Sequence, residues 1–285
     1  MSRRFITVLT LLILIVICVF VSVKQLATPK TRTYESIFQI FGKPFKTFDR
    51  ALTKVSGVSD EDEKQLGNYL LSNISQDSKI NPKIVKYIQS LVDKMAANYN
   101  PKGLTWRVFV YNGEPNAYAL PGGIIHISVG LLEILDSEDE IIAILAHEKG
   151  HIDLGHCIDS YRNMVKTFNR SAGTPPILSI FNFFLRIQHS KYSKNEADNY
   201  AFETLTQLNY CPLALGTSFE KLEKIDECSK KGKLLSDYFK SHPSSNIRSE
   251  NWLEVGKRYI KNHPKADVSP NTEHWSVLKK KIRLH

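Results

Sequence analysis

Ser137-Glu-Asp-Glu-Ile-Ile-Ala-Ile-Leu-Ala-His147-Glu148-Lys149-Gly150-His151 is the stretch on which the reading of this chain turns. Ser137 and Glu140 have the spacing of a capping box, in which a hydroxyl satisfies N–H groups of the first helical turn, so a helix starts there. The six residues Ile141 to Ala146 are all Ile, Ala or Leu, which predicts a buried helix. Histidines four apart share one face of a helix, so His147 and His151 direct their imidazoles at one point, with Glu148 beside them. Two histidines and a glutamate entering a core without partners are costly to bury, and a metal ion satisfies all three. The pattern H-E-x-x-H alone arises by chance in roughly one chain in a hundred of this length, so its apolar context carries the inference. Two neutral imidazoles plus a carboxylate and an open position suit one Zn2+ per chain, with Glu148 as the catalytic general base of a peptide hydrolase.

Working outward, Ser59 followed by Asp-Glu-Asp-Glu opens a helix through Leu66, Tyr69, Leu70 and Ile74, with acidic residues favouring the positive end of its dipole. Pro82 opens another through Ile84, Val85, Ile88 and Val92. Trp106, Val108 and Val110 alternate with Arg107, Phe109 and Tyr111 before Asn112-Gly113, which predicts a strand, and Ile124 to Gly130 after Pro121-Gly122-Gly123 predicts a second. Everything beyond residue 130 reads as helical, including Ile177 to Ile187, which is too short to span a bilayer and is read as a core helix. No solenoid-period repeat interrupts this pattern. The fold class is therefore mainly α with a small β-sheet, an α+β domain.

From Phe5 to Val23 nineteen residues pass without a charge, a run of roughly 28 Å as a helix and close to a bilayer's hydrocarbon thickness. No small-x-small cleavage site closes it, so it reads as an uncleaved anchor that would hold the chain to membrane lipid. The expected organisation is a basic N-terminus at 1–4, the transmembrane anchor at 5–23, a tether at 24–58, the catalytic domain at 59–262 and a C-terminal tail at 263–285. Across the 285 residues 38 Lys and Arg face 29 Asp and Glu, a formal +9 with both signs scattered, which argues against a nucleic-acid partner. The four cysteines, Cys18, Cys157, Cys211 and Cys228, form no C-x-x-C pair and exclude a disulfide scaffold.

With these residues in place, the chain resembles the membrane-associated zinc metallopeptidases of family M48, from about Ser59 to Trp252. Besides His147 to His151, the likeness rests on Asn116-Ala-Tyr-Ala-Leu-Pro-Gly-Gly123, Ser190-Lys191, Glu196-Ala-Asp198, Asn209-Tyr-Cys-Pro212 and Ser241-His-Pro-Ser-Ser-Asn-Ile-Arg248. The resemblance implies a minimal gluzincin core behind one N-terminal transmembrane helix. It implies an endopeptidase acting on unfolded or misassembled proteins in envelope quality control, its domain on the periplasmic or extracytoplasmic side. The single apolar run separates it from the multi-span members. The resemblance also makes the segment of Gly123, Ile124, Ile125 and His126 the edge strand that would align a substrate backbone. In some relatives the His of the H-P block occupies the open zinc position, which makes His242 a possible regulatory contact.

One position departs from the family. Its third zinc ligand is a Glu four residues before the Asp of the Ala-Asp pair, and counting back from Asp198 gives Lys194. Three readings follow from helix geometry and ligand chemistry. Glu196 reaches the metal if its helix starts late or carries a bulge, although in a regular helix it lies about 200° round from position 194. Asp198, one turn along the same face, coordinates instead. Or no third ligand exists and the Lys194 ammonium repels the metal, leaving a weak or inactive relative that binds clients or assists assembly. His126 and His156 read as structural, and Arg248 as a cation facing the site or a helix ion pair.

Overall fold

A computed structural model describes residues 60–169, 177–186, 190–229 and 246–282. The predicted anchor, its tether and His242 lie outside the described residues. Among those described, no helix is long and apolar enough to cross a membrane.

The first helix, α1 (Asp60–Leu71), is followed by α2 (Pro82–Asn98), which begins as its sequence requires. The Asn81 side chain accepts from the Lys83 N–H, Pro82 occupies the first turn, and Ile84, Tyr87, Ile88, Leu91, Val92 and Met95 line the buried face. Three strands come next, β1 (Arg107–Tyr111), β2 (Ala117–Leu120) and β3 (Ile124–Ser128). β2 is one strand more than apolar alternation predicts, because Ala-Tyr-Ala-Leu is too short and too weakly alternating to stand out. The order is β1-β3-β2, with β1 parallel and β2 antiparallel to β3.

This order corrects the expected substrate strand. Gly123 lies in the turn, and Ile124, Ile125 and His126 belong to the central strand, whose two ladders are filled by β1 and β2. All five residues of β3 are buried. The edges of the sheet are β1 and β2. Gly122 and Gly123 hold φ values of +87° and +91°, which side chains other than glycine's rarely adopt, and this closes the β2–β3 turn. A Cβ on Gly122 would lie 2.2 Å from the Gly67 Cα, so the turn docks backbone to backbone on α1. Glu63, fully buried, accepts from the Gly122 N–H at 3.3 Å and pairs with Lys102 at 2.8 Å.

Seven helices follow among the described residues: α3 (Val129–Ile134), α4 (Glu138–Asp153), α5 (His156–Asn169), α6 (Ile177–Arg186), α7 (Lys191–Gln207), α8 (Ala214–Ser229) and α9 (Asn246–Asn262), with α10 (Glu273–Ile282) after them. The Ser137 hydroxyl caps α4 by accepting from the Glu140 N–H at 3.2 Å, while the Glu140 carboxylate reaches back one residue further than expected, to the Asp136 N–H at 2.8 Å. Every residue from Asp139 to Ile152 is buried, so α4 is the axis of the domain. Ile180 and Phe184 of α6 join the core, as read from their apolar run. Cys157 and Cys211 are buried free thiols.

The segment read as a C-terminal tail belongs to the fold. Trp275 is fully buried, its Nε1 donates to the Leu135 carbonyl at 2.8 Å, and its ring stacks on Tyr87 at 5.9 Å. The Asn271 N–H donates to Asp139 at 2.6 Å and the Asn271 carbonyl accepts from the Glu138 N–H, so this segment also steadies the first turn of α4. Asn209-Tyr-Cys-Pro212 does the same from the other side. Asn209 turns the chain with φ +57°, the Cys211 N–H donates to Asp139 at 2.7 Å, and the Tyr210 hydroxyl donates to Glu138 at 2.6 Å.

Candidate metal centre

α4, which carries Glu148 and the two histidines, meets α7 across the most extensive helix–helix contact of the domain. His147, Glu148 and His151 are at most 2 % exposed. The two Nε2 atoms of His147 and His151 face each other at 3.2 Å with the rings nearly perpendicular. Two Zn–N bonds of about 2.0–2.1 Å meeting at a tetrahedral angle put their nitrogens about 3.3 Å apart, so the pair fits a shared cation. Burial lowers the pKa of His147 against the opposing pull of Asp198, which keeps the ring neutral as metal binding requires.

Behind His147 stands Asp198. Its Oδ1 lies 2.8 Å from Nδ1, and the carboxylate takes two bonds from the Arg248 guanidinium, at 2.8 and 2.6 Å, and one from Trp252 Nε1 at 3.2 Å. Burial alone would raise the Asp198 pKa, but the charge of Arg248 and the bond from His147 hold it well below the usual carboxylate range. Asp198 therefore sits at the nitrogen of His147 that points away from His151, which corrects its reading as an alternative metal ligand and makes it the orienting partner of that ring. Arg248 is thus ion-paired with Asp198, and it also lies 3.8 Å over the Phe219 ring.

Glu196 is placed differently from the expectation as well. α7 starts at Lys191 with a Ser190 cap and continues regularly, so neither a late start nor a bulge turns Glu196 toward the histidine pair. Its Oε2 meets His156 Nε2 at 3.1 Å, and His156 Nδ1 meets His151 Nδ1 at 2.9 Å. Gly155, at φ +80°, ends α4 and folds His156 back against His151. His156, structural by its sequence, stands against His151, and its place one residue after the glycine that ends the metal helix is the signal that points there. His126 fits its structural reading, stacked between Phe109 and Tyr118 at 5.1 and 4.7 Å. Lys194 is buried at the position where the family carries its ligand. Among the described residues, no cluster of three His, Cys, Asp or Glu side chains is close enough together to hold one metal ion.

Glu148 lies between the histidines and the sheet. Burial pushes its carboxyl up to about 7, while His147, Arg248 and the Ala119 N–H of β2 pull the other way. The Ala119 contact puts the outer edge of β2, not β3, beside the general-base candidate. Lys149, fully buried, anchors the back of the helix. Its ammonium donates to the Tyr99 carbonyl at 2.7 Å, Asp153 at 2.5 Å and the Tyr200 hydroxyl at 2.8 Å, and lies 4.5 Å over the Trp106 ring.

The sequence matches Peptidase family M48 over residues 82–254, more than half of the chain, which therefore belongs to that metalloprotease family. The chain is similar to two Escherichia coli proteins. One is metalloprotease LoiP, 26% identical over 68% of this chain and 80% of LoiP, and the other metalloprotease YcaL, 25% identical over 69% of this chain and 81% of YcaL. It is also similar to the mitochondrial metalloendopeptidase OMA1 of Arabidopsis thaliana, 31% identical over 54% of this chain and 32% of that protein.

Proposed function

We propose that the protein is a membrane-anchored zinc endopeptidase that cleaves unfolded or misassembled proteins in envelope quality control, with its domain on the periplasmic or extracytoplasmic side and residues 5–23 as its anchor. The observation that carries this reading is the histidine pair, 3.2 Å apart at Nε2, next to a buried Glu148 whose carboxyl is raised to about 7. His147 and His151 hold the metal. Zinc bound there supplies Lewis acidity toward water and a peptide carbonyl. Glu148 takes a proton from the attacking water and returns it to the leaving amine, a transfer suited to a carboxyl that titrates near neutrality. The substrate backbone aligns along the outer edge of β2, Ala117–Leu120, since both ladders of β3 are filled. His242 contacts the metal as a regulatory group, six residues before the Arg248 that braces Asp198.

Lys194 and the placement of Glu196 on His156 favour a second reading, a catalytically weak relative that binds client proteins. Casein digestion by the full-length protein separates the two. Proteolysis that chelator stops and zinc restores, lost about 100-fold or more with Glu148→Gln, supports the enzyme. Digestion indistinguishable between parent and Glu148→Gln, with casein still bound, supports the client-binding reading.

A further inference from the structure

We infer that Glu196, His156 and His151 form a hydrogen-bond relay that fixes the tautomer of His151 and so prepares the metal position. The inference rests on the zinc reading above and assigns two residues that act through a ligand without being one. A carboxylate only accepts hydrogen bonds, and a neutral imidazole has one donor and one acceptor nitrogen. Starting from Glu196 Oε2, the contact at 3.1 Å makes His156 Nε2 the donor. His156 Nδ1 is then the acceptor, and the 2.9 Å contact with His151 Nδ1 makes the latter the donor. His151 Nε2 is left with its lone pair. On the other side Asp198 Oδ1 lies 2.8 Å from His147 Nδ1.

The string from Glu196 thus determines the tautomer of His151, whose Nε2 meets His147 Nε2 at 3.2 Å. As the acceptor of that contact, His151 Nε2 is the nitrogen that a metal ion would take over from His147. Both contacts of His151 have hydrogen-bond distances, and the 3.2 Å at Nε2 is also near the spacing of two nitrogens on one tetrahedral ion. His156 is buried and Glu196 is the half-buried end of the chain, so neither depends on substrate.

The test measures zinc affinity of the full-length protein by competition with a chromophoric chelator, and the visible spectrum of the cobalt-saturated form, for the parent, Glu196→Gln, His156→Leu and His156→Gln. Parent binding with about a 10- to 100-fold loss in Glu196→Gln and His156→Leu is expected, because removing a group that orients a metal-bound histidine has that effect. Their cobalt spectra at saturation match the parent, since the ligands are unchanged. His156→Gln, whose amide can still accept from one side and donate to the other, stays within about threefold. Zinc affinity unchanged in both Glu196→Gln and His156→Leu overturns the relay while leaving the zinc reading intact. A changed cobalt spectrum in Glu196→Gln also overturns it, because Glu196 would then be a ligand. A parent that binds neither metal removes the zinc reading and the relay together. If His156→Leu does not fold, Glu196→Gln at the exposed end decides.

Discussion

Replacing Asp198 by Asn tests the architecture of the site through two quantities that should move together. Asp198 is 1 % exposed, accepts three hydrogen bonds, two from Arg248 and one from Trp252 Nε1, and lies 2.8 Å from His147 Nδ1. An amide offers one acceptor oxygen, and its NH2 group meets donors on the other side. The Arg248 charge, largely shielded from water, is left uncompensated. Breaking a buried pair this way costs about 3–5 kcal/mol, which in a domain of this size lowers Tm by roughly 10 °C. Loss of the carboxylate behind His147 should also weaken zinc binding about 10- to 100-fold, or about 1.4–2.7 kcal/mol. The assays are thermal unfolding of the metal-free protein and chelator competition for zinc. In an Arg248→Met background the stability cost of Asp198→Asn should fall well below its value in the parent, because the two residues share one pair. A metal-free stability within about 1 kcal/mol of the parent, together with unchanged zinc affinity, would refute the account of Asp198 as both partner of Arg248 and orienting group of His147.

Lys194→Glu puts a carboxylate one turn before Asp198 on the face of α7 that meets His147, and should raise zinc affinity at least about 10-fold; an unchanged affinity means that position 194 does not reach the metal. His126 carries a pKa lowered by burial from 6.5 to about 4. Between those values the unfolded chain binds a proton that the native one does not, so stability is complete above about pH 6.5 and falls by about 3 kcal/mol as pH drops toward 4. His126→Phe should remove that slope in urea titrations at pH 7.5, 5.5 and 4.5, and equal slopes for both proteins would contradict it. Trp275→Ala should cost about 3–5 kcal/mol in chemical denaturation, since the ring is fully buried in a segment that also holds the start of α4; a change below 1 kcal/mol would mean that α10 is dispensable.

Local signals located most of the machinery. The Ser137 cap, the apolar run before His147 and the four-residue histidine spacing each follow from helix geometry over a few residues, and α4 is built as they dictate. Asn81-Pro82 likewise opens α2 without outside help. What the sequence left open depended on partners far along the chain. The third-ligand question turned on whether Glu196 or Asp198 faces the metal. A helical wheel puts Asp198 on the right face, but cannot show that Arg248, fifty residues on, takes both its oxygens. The resemblance puts the edge strand at Gly123 to His126, and only the pairing of β1 and β2 with β3 shows that this strand is central, since strand order is a long-range property that local patterning does not carry.

The sequence by itself determined the metal helix, its two histidines and its glutamate, the α+β class and the family, because caps, periodicity and short motifs are interactions within one or two turns of chain. Only the tertiary structure decided that β2 is the edge beside Glu148, that Asp198 orients His147, that His156 joins Glu196 to His151, and that residues 271–282 brace the start of the metal helix. Those assignments rest on which acceptor meets which donor across α4, α5, α7 and α9. Hydrogen bonds are satisfied by whatever the packing brings within 3 Å, and separation along the chain carries no record of it.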